Sequence, residues 1–204
     1  MNRVAKGSVR GYRSDLRAHQ AEQTRSQILD ATLRVMADGV ASLSVPAVAR
    51  EAGVSVPTVY RHFGTKGDLL AALYPYLARR VGLDLAAAAP RTLAELRDGV
   101  REMFGHLDTF DDLARAAIAS PAAEEARRTS MSDRLELARR LVATIDPRLA
   151  RADRERIARL LVVLITSSSL RVWRDHLGAT VEQAADDIDW IVRAGVAAAT
   201  GDRP

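Results

Sequence analysis

The stretch VAREAGVSVPTVYRHFGTKGDLL, residues 48–70, decides the fold. It contains the end of one short helical pattern and the whole of a second, separated by Gly53-Val54-Ser55. Glycine suits the left-handed position that ends a helix, and Ser44, just upstream, suits the N-cap of the first helix. Two short helices joined by a tight turn are typical of a helix-turn-helix, whose second helix is exposed and can enter a major groove.

The second of these helices has an inner and an outer face. Val59 and Phe63 are predicted to pack inward. The side chains left to face DNA are Val56, Pro57, Thr58, Arg61 and His62, with Ser55 in the turn before them. Tyr60 and Lys66 are suited to donate hydrogen bonds to phosphates, and Thr58 can meet a base edge. Two alternatives stay open, a core position for Tyr60 and an ordinary surface position for His62.

The rest of the chain predicts helices only. An amphipathic helix spans about residues 20–39, and a fourth helix opens at Thr65-Lys66-Gly67-Asp68. Further helices are predicted over about residues 92–107, 111–119, 122–145, 153–176 and 181–200, separated by prolines and Gly178. No segment alternates as a strand does. The expected fold is all-α, an N-terminal three-helix helix-turn-helix domain followed by a larger helical domain, about nine helices in total.

Positive charge is concentrated at the N-terminal end. The net charge is +4, and residues 1–67 hold ten Lys and Arg against five Asp and Glu. This asymmetry indicates a polyanionic partner, nucleic acid rather than membrane. Residues 1–19 combine glycine, serine and five basic residues with little apolar periodicity. They are predicted to form a mostly disordered basic arm, a solvated tail rather than a minor-groove reader.

Several classes of protein are excluded. The chain has no cysteine, which rules out disulfides and thiolate metal sites and fits a reducing cytoplasm. The longest dense apolar run, residues 160–165, is too short to cross a bilayer. The four histidines lack metal-ligand spacing, and no nucleophile or phosphate-loop motif is present. Ser167-Ser168-Ser169 is interpreted as small packing residues inside a helix. We expect a cytoplasmic, non-enzymatic protein without cofactor, metal or membrane association.

Residues 49–69 follow the pattern A-x-x-A-G-V-S-x-x-x-[LV]-Y-x-[HY]-F-x-x-K-x-x-L nearly throughout. In this the chain resembles the DNA-binding domain of the TetR (tetracycline-repressor-like) family, over about residues 20–75. The resemblance implies phosphate contacts from Ser44 and Val45, and it supports those of Tyr60, His62 and Lys66. Gly67 departs from the family, which often has Glu there, and the arm is longer than in many members.

The resemblance also implies a ligand-sensing and dimerisation domain. The expected domains are the arm at 1–19, a DNA-binding domain at 20–67 and a ligand and dimer domain at 68–204. Candidates for the ligand pocket are aromatic, apolar and small polar residues: Tyr74, Tyr76, Met103, Phe104, His106, Leu107, Phe110, Thr166, Ser169 and Trp173. The last two helices are long and apolar and are expected to form the homodimer interface, unless they only complete the core of one protomer.

The expected function is a transcriptional repressor. A homodimer would bind double-stranded palindromic operator DNA, and an unknown small-molecule effector in the C-terminal domain would release it. Two other classes stay open: a non-specific architectural DNA-binding protein, in which charge dominates, and an interaction protein whose C-terminal domain receives another protein. The sequence does not name the effector or the operator.

Overall fold

The computed structural model describes residues 7–84 and 90–201, and these are helical with short connections. The helices are α1 Gly7–Ala37, α2 Val45–Glu51, α3 Val56–Phe63, α4 Lys66–Arg80, α5 Leu96–Asp108, α6 Asp112–Ala119, α7 Pro121–Ile145, α8 Arg151–Leu164, α9 Ser167–Arg171 and α10 Val181–Thr200. A π-helical turn, Val172–His176, follows α9 directly. The expected all-α class is confirmed, with ten α-helices in the described ranges rather than about nine.

The first three helices form an N-terminal head. Its core contains fully buried Ile28 of α1, Val48 of α2 and Val59 of α3. Gly53 ends α2 with φ 66°, a left-handed conformation that glycine adopts without strain, so the chain turns sharply into α3. The head is continuous with the rest of the protein, because α1 packs against α4 and α6 and shares one apolar core with the C-terminal helices.

The C-terminal part is a helical bundle. The long helix α7 packs along α8 and also contacts α4, while α10 packs against α5 and α8. The buried face of α10 carries Ala184, Ile188, Val192 and Val196, spaced at helical intervals. Among the described residues, no helix combines the length and apolarity needed to cross a membrane.

The predicted start of the first helix, near Gln20, is wrong. α1 begins at Gly7, so residues 7–19 are helical rather than an irregular arm, and residues 1–6 lie outside the described residues. Residues 15–22 are all exposed, so this part of the helix has no buried face that periodicity could reveal. Adding residues to an existing helix gains one hydrogen bond each without a new nucleus, which accounts for the extension.

The single helix predicted over residues 153–176 is also wrong. α8 ends at Leu164, and α9 begins after Thr166, whose extended backbone (φ −141°, ψ 162°) makes it an N-cap. The Thr166 hydroxyl accepts from the Ser169 amide at 2.9 Å, and the Thr166 amide donates to the Ser169 hydroxyl at 2.8 Å. Ser167, Ser168 and Ser169 therefore form the first turn of a new helix and are not packing residues in the middle of one. α5 likewise begins at Leu96, four residues later than predicted.

Candidate DNA-binding site

The recognition helix α3 is held by a buried inner face and a capped start. Val59 is 1% exposed and Phe63 5%. Ser55 caps the helix by accepting from the Thr58 amide at 3.3 Å, and the two hydroxyls lie 2.9 Å apart. The inner face and the cap fix the rotation of α3, so its outer face is presented as a defined surface.

The outer face of α3 carries most of the residues that the sequence predicted for DNA contact. Pro57, Tyr60 and Arg61 are exposed, and Thr58 is half-buried beside Ser55. Tyr60 is 44% exposed, so it is not a core aromatic. Val56 is half-buried and packs against the core, which leaves less of its side chain available to DNA than predicted.

Of the two residues predicted for phosphate contact at the start of α2, only one has an exposed side chain. Ser44 is exposed and its hydroxyl makes no cap hydrogen bond, so it is available to a phosphate. Val45, in contrast, is only 4% exposed and belongs to the core of the head. The contact predicted at Val45 can therefore involve only its backbone, because its side chain is held on the inward face of α2.

Arg25 of α1 fixes the C-terminal end of α3, a role that the sequence pattern missed. Its Nη1 donates to the His62 carbonyl oxygen at 2.8 Å, and its guanidinium lies 4.2 Å from the centre of the Phe63 ring. Burial, and then the charges of Arg61 and Arg25, lower the pKa of His62 below its ordinary value. His62 is therefore neutral at pH 7 in the free protein, and one ring N–H remains to donate.

Lys66, predicted to bind phosphate, is paired within the protein. Its Nζ lies 2.6 Å from Oε1 of Glu125 on α7, and both side chains are about one-third exposed (33% and 32%). The other carboxylate oxygen of Glu125, Oε2, is buried and has no hydrogen-bond partner. Lys66 therefore connects the start of α4 to the C-terminal bundle, and a phosphate would have to compete with Glu125 for it.

Two further polar contacts join the head to the bundle. The Tyr76 hydroxyl donates to Asp30 of α1 at 2.6 Å, and burial together with this carboxylate raises the pKa of Tyr76 to about 12. Arg80 lies between Asp30, at 3.4 Å, and Asp111, the N-cap of α6, at 2.8 Å. Tyr76, predicted to line a pocket, thus belongs to the contact between the head and the bundle.

The structure does not bring the predicted pocket residues together into one cavity. Leu107 and Phe110 line a hollow beside α6 and α9, and His106 lines a second one while Nδ1 of its ring contacts the Val81 carbonyl. Phe104 is fully buried core. The others are engaged elsewhere: Tyr74 with Met103 and with Arg134 over its ring, Thr166 with Ser169 in the cap of α9, and Trp173 half-buried in the π-helical turn.

Part of the chain is similar to a known family of proteins. An all-helical protein with an exposed, firmly held second helix of a helix-turn-helix has the form of a DNA-binding regulator. Residues 28–73 match the family model described as bacterial regulatory proteins, tetR family. Over this segment the chain therefore has a TetR-family DNA-binding domain, and the curated relatives that it matches are named transcriptional regulators.

The curated relatives match about a third of this chain or less. BetI of Brucella anthropi is 38% identical over 69 residues, which are 33% of this chain and 36% of that protein. SrpR of Pseudomonas putida is 44% identical over 57 residues, 28% of this chain and 27% of that protein. AcrR of Shigella flexneri is 36% identical over 64 residues, 31% of this chain and 30% of that protein. The chain thus spans about a third of the curated relatives' own length.

The fold extends beyond the matched head. NalD, the secondary repressor of the MexAB-OprM multidrug efflux pump in Pseudomonas aeruginosa, superposes with a TM-score of 0.54 over 86% of this chain and 96% of that chain. The sequence identity of 24% makes this a likeness of fold alone.

Proposed function

We propose that this chain is a transcriptional repressor that binds a palindromic operator as a homodimer and is released by a small-molecule effector. In this proposal residues 20–67 read double-stranded DNA, and residues 68–204 carry the effector and the dimer interface. The observation that carries it is α3, whose inner face is buried while Pro57, Tyr60 and Arg61 stand exposed on its outer face. A helix held in this way can lie in a major groove without rearranging the head.

The α8–α10 face supports the homodimer. Trp190 is 71% exposed on α10 and Val163 67% exposed on α8. Ile191, Ala194 and Ala198 continue the exposed face of α10 at helical spacing. Large exposed apolar residues gathered on the last two long helices favour an isologous four-helix contact with a second copy. Two heads related by a two-fold axis would read two half-sites about one helical turn, roughly 34 Å, apart.

The contacts between head and bundle support release by an effector. Asp30, Arg80 and Asp111 join α1, α4 and α6 in one polar chain, and Lys66 and Glu125 join α4 to α7. A molecule that shifts α6 or α7 would therefore move the head of its protomer. Because both heads must fit their grooves together, a small shift weakens the binding of the dimer to the operator.

The proposal is tested by selecting binding sites from random double-stranded DNA with the full-length protein. We expect an enriched inverted repeat, and gel shifts in which the selected DNA binds far more tightly than a scrambled duplex of equal length. A protein that binds every duplex equally, with only a salt dependence, would be architectural and would contradict the proposal. Failure to bind any duplex, with peptides or proteins captured instead, would favour an interaction protein.

A further inference from the structure

We propose that the hollow between the end of α5, α6 and α9 binds an amphipathic small-molecule anion, a carboxylate with an apolar body. The hollow is open to solvent and encloses about 460 Å³ including its mouth. The inference rests on the proposed function, since it names the chemical class of the effector. The mixed lining of the hollow, apolar on its floor and cationic at its rim, is what carries the inference.

The floor of the hollow is apolar. Leu107 and Phe110 at the end of α5 are 5% and 4% exposed, and Leu170 of α9 is 5% exposed. Ile118 of α6, half-buried, continues this surface. Burying a hydrocarbon body against such a floor is favourable in proportion to the apolar area removed from water.

Three arginines lie at the rim. Arg115, Arg171 and Arg174 all line the hollow, and none of the described residues that line it is a carboxylate. Arg174 is neutralised, because it pairs with Asp175 at 2.7 Å and with Asp108. Arg115 donates only to main-chain oxygens, those of Phe110 and Asp108, and so keeps its charge without a counter-ion.

Arg171 makes the fewest polar contacts of the three arginines. It is exposed, and within the described part of the chain it makes no hydrogen bond or ion pair. Arg171 interacts with the Asp175 carboxylate only at longer range, as a charge that helps to lower the pKa of Asp175. Two guanidinium groups that donate to no carboxylate therefore face one hollow, and guanidinium recognises carboxylates bidentately. The hydroxyl groups of Ser167 and Ser168, on the same rim, add further donors.

The unexpected break between α8 and α9 builds this site. Because Thr166 ends one helix and caps the next, Ser167, Ser168 and Leu170 face α6. The π-helical turn that follows α9 carries Arg174, which lines the same hollow as Arg171 three residues earlier. Single π-helical turns occur frequently at functional sites because they re-aim side chains.

The hollow is also connected to the head. Arg115 lies one helical turn after Asp111, the N-cap of α6, and Asp111 binds Arg80, which in turn contacts Asp30 of α1. An anion that draws Arg115 toward itself would shift α6 against this chain of ion pairs. Binding in the hollow would thereby change the position of α1, against which α2 packs.

The test uses three probes with one hydrocarbon body: octanoate, octan-1-ol and octylammonium. The chain has two tryptophans, Trp173 beside the arginines and Trp190 on α10, so the indole N–H signals in a nitrogen-15 NMR spectrum separate the two regions. Trp190→Phe assigns the signals. We expect octanoate to shift the Trp173 signal saturably in the full-length protein, with octan-1-ol binding at least about tenfold more weakly and octylammonium not binding.

Variants locate the anion. Arg171→Gln removes no hydrogen bond or ion pair of the described residues and is expected to weaken octanoate binding about tenfold. Arg115→Gln should weaken it similarly if the variant folds. Arg140→Gln, with a side chain 75% exposed on α7, is the matched control and should bind as the parent does. Arg134 lies over the Tyr74 ring, so Arg134→Gln tests whether octanoate binds instead near Tyr74, a residue predicted to line the pocket. This variant should also leave octanoate binding unchanged.

Several results would overturn the proposal. They are equal binding of octanoate and octan-1-ol, no saturable shift of Trp173 by octanoate in the millimolar range, unchanged binding by Arg171→Gln, or loss of binding in Arg134→Gln. The DNA experiment is separate from all of these. If octanoate binds at Trp173 but leaves the DNA affinity unchanged, the anion site stands and release by an effector fails as part of the proposed function.

Discussion

Lys66 has a choice between two anionic partners, a phosphate of DNA and Glu125. In the free protein Glu125 holds it at 2.6 Å. An ion pair that is one-third exposed is weak, so in the proposed function a phosphate can displace Glu125. The free energy of the Lys66–Glu125 pair would then be subtracted from the free energy of DNA binding. The lysine therefore links the position of α7 to the affinity of the head.

Glu125→Gln is expected to strengthen binding to all duplexes and to increase the salt slope by about one unit, because Lys66 becomes free to contact a phosphate. Lys66→Ala should do the opposite, weakening operator and scrambled DNA about equally. Gel shifts across a salt series measure both effects. Glu124→Gln is the control, since Glu124 pairs with Arg127 on the same helix and not with the head.

If Glu125→Gln increased affinity only for the operator, the effect would arise from base reading rather than from a phosphate. If the double variant Lys66→Ala with Glu125→Gln bound as tightly as Glu125→Gln alone, Lys66 would not be the group released.

His62 is expected to make DNA binding pH-dependent. Burial and neighbouring arginines keep its pKa below the ordinary value of 6.5 in the free protein, so it is neutral above that pH. A phosphate beside the ring would favour the charged form and raise the pKa, so binding would take up a proton. Affinity should then increase as the pH falls from neutrality through the pKa of the complex.

The measurement is operator affinity from pH 7.5 to pH 6, roughly the range in which histidine titrates. His62→Asn should remove the pH dependence while keeping a side chain that can donate. Equal pH dependence in parent and His62→Asn would assign the titration to another group and leave His62 as an ordinary surface residue.

At the scale of elements, α3 depends on Ser55 for both stability and function. The Ser55 hydroxyl caps the helix, and in the proposed function its exposed position at the start of the outer face would bring it near the DNA backbone. Asp is as good an N-cap as Ser, but it carries a negative charge. The two substitutions Ser55→Asp and Ser55→Ala therefore separate capping from DNA contact.

Ser55→Ala is expected to lower the free energy of unfolding by about 1 kcal/mol, whereas Ser55→Asp should leave it nearly unchanged. Ser55→Asp should nevertheless lose DNA affinity at all sites, because its carboxylate repels phosphates. Urea unfolding and gel shifts on the same samples provide both numbers. Undiminished DNA binding by Ser55→Asp would place this turn away from the DNA backbone.

Elements whose signals are local were predictable from sequence. The bounds of α6, α7 and α10 fall within one residue of those predicted, since Ser120 and Thr180 cap two of them and Pro121 begins one. The start of α1 was not predictable, because the exposed residues 15–22 show little apolar periodicity. The break at Thr166 was missed because Ser169 replaces the Glu or Gln of the usual capping box inside a continuous apolar pattern.

Side-chain partners across the molecule were the least predictable part of the site. The motif identified α3 and its outward residues, but it did not show that Arg25 holds His62 or that Lys66 meets Glu125. Each of these contacts joins residues from different helices, so it depends on packing that no local pattern encodes. The same applies to the pocket, whose predicted members are distributed over core, caps and two hollows.

At the scale of the whole molecule, the structure changes which residue tests the dimer. Gly195 lies among the small residues of α10, which permit close approach of a second helix. A Cβ at Gly195, however, would lie 3.9 Å from Cγ1 of Ile157 in the same protomer. A larger side chain there would disturb the α8–α10 contact within one protomer, so its effect on the dimer would be ambiguous.

Trp190→Glu is the sharper test, because the side chain is 71% exposed and contributes little to the fold of a protomer. If α8 and α10 pair across a two-fold axis, each dimer would bury this glutamate twice without a partner, and the protein should become monomeric in sedimentation. Specific operator affinity should then fall sharply, since a single head reads one half-site, while weak salt-dependent binding remains.

Leu137→Glu is the matched control for this prediction. Leu137 is 63% exposed on α7, outside the two helices proposed to form the interface, and the same change of charge there should leave the dimer intact. Val163→Glu, on α8, should act as Trp190→Glu does if the two residues share one interface. A dimer that survives Trp190→Glu and Val163→Glu together would require the two heads to be joined through another surface, and the spacing of the half-sites would then follow from that surface instead.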